Sequence, residues 1–129
     1  MAALQQTRST PRLVTFGVLG GGVGLVAGGL IGAVIGNDED DTENGWIDAL
    51  RGSVIGGTIG ESIGLAGGVH LANDRQGSLA LSTLASLAIG GLGAALVVEN
   101  QDPPAAPIIL VATPIAQLIA TILIERKGR

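Results

Sequence analysis

The sequence predicts an all-α integral membrane protein, a bundle of four transmembrane helices packed through stripes of small residues. Three observations lead there. Four apolar stretches each have roughly the 20 residues that a helix needs to cross about 30 Å of hydrocarbon. Small residues recur at every fourth position within them. Basic residues gather on one side of the segmentation that hydropathy alone produces.

Composition agrees. Hydrophobic residues make up 47% of the 129, but charged residues only 14%, against about 25% in soluble domains. Phe16 and Trp46 are the whole aromatic complement, and 22 residues are glycine. A water-soluble core of this size normally uses several aromatics, because each buries so much area. With no cysteine, neither a disulfide framework nor a thiolate metal site can form.

The first span covers 13–36, after an N-terminal tail at 1–12. The second covers 47–72 and is interrupted by Glu61 and His70. The third covers 79–98 and the fourth 105–124, so that 13–124 form one membrane domain with a basic tail at 125–129. The connections carry turn chemistry: NDEDDTENGW, NDRQG and ENQDPP. Pro103, Pro104 and Pro107 suit the entry to the fourth helix, and Pro114 falls inside it.

Four spans put both termini and the 73–77 loop on one side. That side holds Arg8, Arg12, Arg75, Arg126, Lys127 and Arg129. The other holds Arg51 alone among basic residues, with acidic Asp38, Glu39, Asp40, Asp41, Glu43, Asp48, Glu99 and Asp102. Under the positive-inside rule both termini are cytoplasmic, in a bacterial inner membrane. Trp46, Arg51 and His70 fall at the interfaces, Trp46 as an anchor and Arg51 within reach of an ion pair with Asp48. The acidic run at 38–43 lacks the ligand spacing and glycine of a calcium loop and reads as a solvated connection.

The stripes at spacing four are Gly20, Gly24, Gly28, Gly32 and Gly36 on the first helix, and Gly52, Gly56, Gly60, Gly64 and Gly68 on the second. Ser78, Ser82, Ser86, Gly90 and Ala94 continue the pattern on the third helix, as do Ala112, Ala116 and Ala120 on the fourth. Positions i and i+4 share one helix face. Lipid supplies no hydrophobic drive between helices, so association rests on close van der Waals contact, which small residues allow. The first two helices should therefore form an antiparallel hairpin, stripe against stripe.

The run GVLGGGVGLVAGGLIGAVIG followed by GSVIGGTIGESIGLAGG resembles the bacterial glycine-zipper membrane proteins of the cell envelope, over residues 17–36 and 52–68. The resemblance implies paired glycine-striped helices and a place in the envelope. Many members are lipoproteins, whereas this chain has no lipobox cysteine.

Other readings of the same residues fit less well. Gly22, Gly24 and Ala27 match a dinucleotide fingerprint, but no strand–helix alternation surrounds them. A signal peptide, with Leu13–Ala27 as its apolar region and cleavage after Leu25-Val26-Ala27, would imply an envelope location; the glycine register runs straight through residue 27. A β-barrel would need alternation and aromatic girdles, which are missing.

Glu61 is the candidate ion or proton site, because a carboxylate near the middle of a span is expensive. Ser53, Thr58, Ser62, Ser82 and Ser86 are its candidate hydrogen-bond partners. Nine residues separate it from His70, which places the two on opposite helix faces. No nucleophile–base pair, metal-ligand set or cofactor motif appears, so neither an enzyme nor a nucleic-acid binder is expected. The expected role is structural or accessory, with the bilayer, the chain itself or another membrane protein as partners. The alternative is a small channel, holin-like pore or ion-coupled transporter built on Glu61.

Overall fold

A computed structural model describes residues 9–37, 45–99 and 105–127. Every element in them is helical: α1 (Thr10–Gly36), α2 (Gly45–Ala72), α3 (Leu79–Glu99) and α4 (Ala105–Lys127). The acidic run at 38–43, Arg8, Asp102, Pro103, Pro104 and Arg129 lie outside the described residues.

Local chemistry sets the ends. Pro11 occupies the first turn of α1, where its missing N–H costs nothing. Asn37 closes that helix by donating its N–H to the carbonyls of Ala33 and Val34. At the end of α2 the Arg75 N–H reaches the His70 carbonyl (2.9 Å) and the Asp74 N–H that of Leu71 (3.1 Å). This is the Schellman pattern, which needs a left-handed residue. Asp74 (φ 55°) fills that position, and Arg75 (φ 61°) follows in the same region. The Ser78 hydroxyl accepts from the Leu81 N–H and opens α3. α4 carries Pro114 internally.

Successive helices run antiparallel. At one end of the bundle Arg126 donates to the Thr10 hydroxyl (2.7 Å), Arg12 pairs with Asp74 (3.8 Å) and Asn73 donates to the Glu125 carbonyl (3.0 Å). α2 is the central helix and touches all three others, while α1 meets α2 along its length, α4 slightly and α3 not at all. A small apolar core of Leu13, Leu65, Val69, Ala72 and Ile122 lies toward the end where the start of α1 meets the end of α4.

Polarity is inverted relative to a water-soluble bundle. Val23 is 71% exposed and Val34 70%, whereas Ser62, Ser82, Ser86, Gln117, Thr121 and Glu125 are fully buried. Large exposed apolar surface marks a site for other apolar matter, and here it covers the outer face of every helix. α1, α3 and α4 are long and apolar enough to cross a membrane. The sequence reading expects four such helices; α2 falls short, because glycines, serines and Glu61 dilute its apolar content. The chain thus has the helices of a small membrane protein.

Two boundaries shift. Residues 10–12, read as tail, are the first turn of α1. Residues 125–127, also read as tail, are the last turn of α4, where Glu125 is buried.

Candidate functional site

The close approach of α1 to α2 is made by glycines in register. A Cβ built on Gly24 would lie 2.6 Å from the carbonyl carbon of Gly60, and one on Gly60 2.9 Å from that of Gly24. Gly20 with Gly64, Gly28 with Gly56 and Gly32 with Gly52 repeat this reciprocal geometry. At the ends the partners are not glycines: Gly36 faces Asp48, and Gly68 faces the Phe16 carbonyl. Any side chain at these positions would collide with backbone, which has nowhere to go. Around Gly22, Gly67 and Gly91, by contrast, a Cβ would meet nothing within 4 Å.

α4 turns a different face inward than its alanines suggested. Ala112 and Ala116 are exposed. The buried row is Gln117, Thr121 and Glu125, also spaced by four. It meets the stripe of α3, Ser82, Ser86 and Gly90, with Ser62 of α2 between them. The Gln117 side-chain amide donates to the Ser62 hydroxyl and to the Ser86 carbonyl, both at 2.9 Å. Ser62 in turn donates to the Thr58 carbonyl (2.8 Å). Among the described residues, Ser86 Oγ, Gln117 Oε1 and Thr121 Oγ1 of this seam have no hydrogen-bond partner.

Glu125 ends the seam. Its Oε1 accepts from the Ser82 hydroxyl (2.7 Å), and its Oε2 lies 3.0 Å from His70 Nδ1. Asn73 Nδ2 is 3.5 Å from the same oxygen. Gly77 lies so close that a Cβ there would stand 2.5 Å from the Glu125 carboxyl carbon. A fully buried carboxylate is tolerated only when hydrogen-bonded and charge-compensated. His70, 14% exposed, is the one group against it able to carry positive charge. The carboxylate stands between hydroxyl and imidazole. The imidazole is therefore not placed to take the serine proton, as nucleophilic catalysis would require.

The sequence reading missed this seam. Gln117, Thr121 and Glu125 carried the signal in their spacing, one polar residue per turn on a single face.

Glu61 lies apart from it. Of its expected partners, the Ser62 hydroxyl accepts from Gln117, the Ser82 hydroxyl donates to Glu125, Thr58 donates to the Val54 carbonyl, and the Ser86 hydroxyl has no partner among the described residues. No described residue hydrogen-bonds the Glu61 carboxylate. It lines a cleft of about 270 Å³ between α1, α2 and α4, walled by Gly17, Gly21, Gly22, Leu65, Pro114 and Leu118. His70 faces Glu125 instead, so the two ionisable groups of α2 have separate surroundings. Trp46 is 68% exposed and Arg51 is exposed. No ion pair joins Asp48 to Arg51 among the described residues. Among the same residues no cluster of His, Asp and Glu could hold a metal ion.

Comparison with protein-family models, with curated proteins and with solved structures finds no match.

Proposed function

We propose that this chain is a four-span integral membrane protein whose role is structural or accessory, a compact unit that assembles with copies of itself or with another membrane protein. The observation that carries the reading is the reciprocal fit of Gly20, Gly24, Gly28 and Gly32 against Gly64, Gly60, Gly56 and Gly52. Helices this close gain dispersion contacts and Cα–H···O interactions along their whole length, the source of association available in lipid. It also bears on α2. An antiparallel neighbour meeting α1 from Phe16 to Gly36 crosses whatever α1 crosses. Glycine-poor α3 and α4 complete the bundle through the polar seam, leaving the outer faces of α1 for lipid or for partners.

The basic groups at the end shared by Thr10, Arg12, Arg75, Arg126 and Lys127 favour a cytoplasmic placement of that end, in an inner membrane. Neither an enzymatic reaction nor a cofactor enters this reading.

Two leucine substitutions test it. Gly60→Leu should abolish the hairpin, read as loss of the folded state in non-ionic detergent and of crosslinks between single cysteines on α1 and α2. Gly67→Leu, in open space, should leave both intact. Equal behaviour of the two variants would mean that the glycine register does not hold the hairpin.

A further inference from the structure

The geometry points to a binding site for a lipophilic organic cation, a protonated amine on an apolar body, in the cleft around Glu61. The inference rests on the membrane reading above, since the cleft opens beside Val18 and Ile115, which are 58% and 53% exposed and would face lipid.

The volume, about 270 Å³, is close to the lower end of small-molecule sites at roughly 300 Å³. The recess exists because Gly17, Gly21 and Gly22 bring no side chain to the α1 wall, while α4 contributes Pro114, Ile115 and Leu118. The walls are almost wholly carbon, and Glu61 is the one ionisable residue among those lining them. No Lys, Arg or His lines the cleft, and the nearby hydroxyls of Thr58 and Ser62 are committed to backbone carbonyls. No described residue therefore uses the hydrogen-bonding capacity of Glu61. A metal ion would need several oxygen ligands, and the lining offers one carboxylate. An anion would be repelled, and a neutral apolar ligand would leave the charge unmet. An alkyl- or arylammonium satisfies both parts: N–H donors for the carboxylate and carbon for the walls.

The test uses proflavine, an aromatic cation at neutral pH, and acridine, its uncharged parent at that pH, with the full chain in dodecyl maltoside. Fluorescence anisotropy should show saturable binding of proflavine and none of acridine. Glu61→Gln should weaken binding at least about tenfold, and Glu61→Asp should retain it. Gly22→Phe supplies an independent arm. Gly22 lines the cleft and a Cβ on it meets nothing within 4 Å, so added bulk there crowds the cleft while the paired glycines stay unaltered; it too should weaken binding at least about tenfold. Absence of saturable binding to the unaltered chain, or unchanged affinity in Glu61→Gln and Gly22→Phe, overturns the proposal. Neither variant alters the glycines paired between α1 and α2, so that outcome leaves the packing reading standing.

Discussion

Thr121 and Glu125 occupy neighbouring turns of one helix face, yet burial treats them differently. The Glu125 carboxylate is met by Ser82, His70 and Asn73. The Thr121 hydroxyl is equally buried and has no hydrogen-bond partner among the described residues. An unpaired buried hydroxyl costs on the order of 1–3 kcal/mol, so Thr121→Val, which keeps the shape and removes the polar atom, should leave stability unchanged or raise it by about 1 kcal/mol. Glu125→Ala should do the opposite. It strands the Ser82 hydroxyl and the His70 and Asn73 donors, and loss of one member of such a buried set typically costs about 3–5 kcal/mol in water. Single side-chain hydrogen bonds between helices of membrane proteins are weaker, averaging about 0.6 kcal/mol, which puts the expectation for three of them nearer 2 kcal/mol. Reversible unfolding in mixed detergent micelles measures both. A destabilised Thr121→Val would show that its hydroxyl has a partner after all.

At the scale of the helix, the packing faces separate what the sequence displayed from what it hid. On α1 and α2 the glycines at every fourth position stood out in the sequence, and the close approaches between the two helices fall on them. The serine stripe of α3 stood out in the same way. α4 offered two stripes at once, alanines at 112, 116 and 120 and polar residues at 117, 121 and 125. Small size argued for the alanines. Burial of hydrogen-bonding groups away from lipid decided for the polar row, because an unsatisfied amide or carboxylate facing hydrocarbon costs more than a poorly packed alanine. Glu61 was legible as unusual, but its isolation was not, since partner choice depends on which hydroxyls the seam had already engaged. The face assignment is testable by size. Ala116→Leu adds bulk to an exposed position and should be tolerated within about 0.5 kcal/mol. Gly90→Leu drives a side chain into Ser62, where a Cβ already stands 2.9 Å from the hydroxyl, and should prevent folding of the α3–α4 pair onto α2. Destabilisation by Ala116→Leu would return the packing face of α4 to the alanines, and tolerance of Gly90→Leu would mean that α3 does not pack there.

For the whole molecule, the decisive quantity is how many times the chain crosses. Composition credits α1, α3 and α4 with the length and hydropathy to span, and an odd number of crossings would put the termini on opposite sides. The four-span proposal returns them to one side: Arg126 near the end of α4 donates to Thr10 at the start of α1, and Arg12 of α1 pairs with Asp74 of the α2–α3 turn. If α1 crosses a bilayer, α2 must cross it as well to keep both contacts. α2 falls below that hydropathy because its packed faces carry small and polar groups: its glycines lie on α1, and Ser62 and His70 face the other helices, while Ile55, Ile59 and Ile63 stay exposed on its outer face. Single cysteines at positions 42, 75 and 127 should then divide into two classes with a membrane-impermeant maleimide. Positions 75 and 127 should react only from the cytoplasmic side, where Arg75, Arg126 and Lys127 concentrate the positive charge, and position 42 only from the opposite side. Reaction of 42 and 75 from the same side would mean that α2 does not cross, and the glycine interface would then have to form somewhere other than within a bilayer.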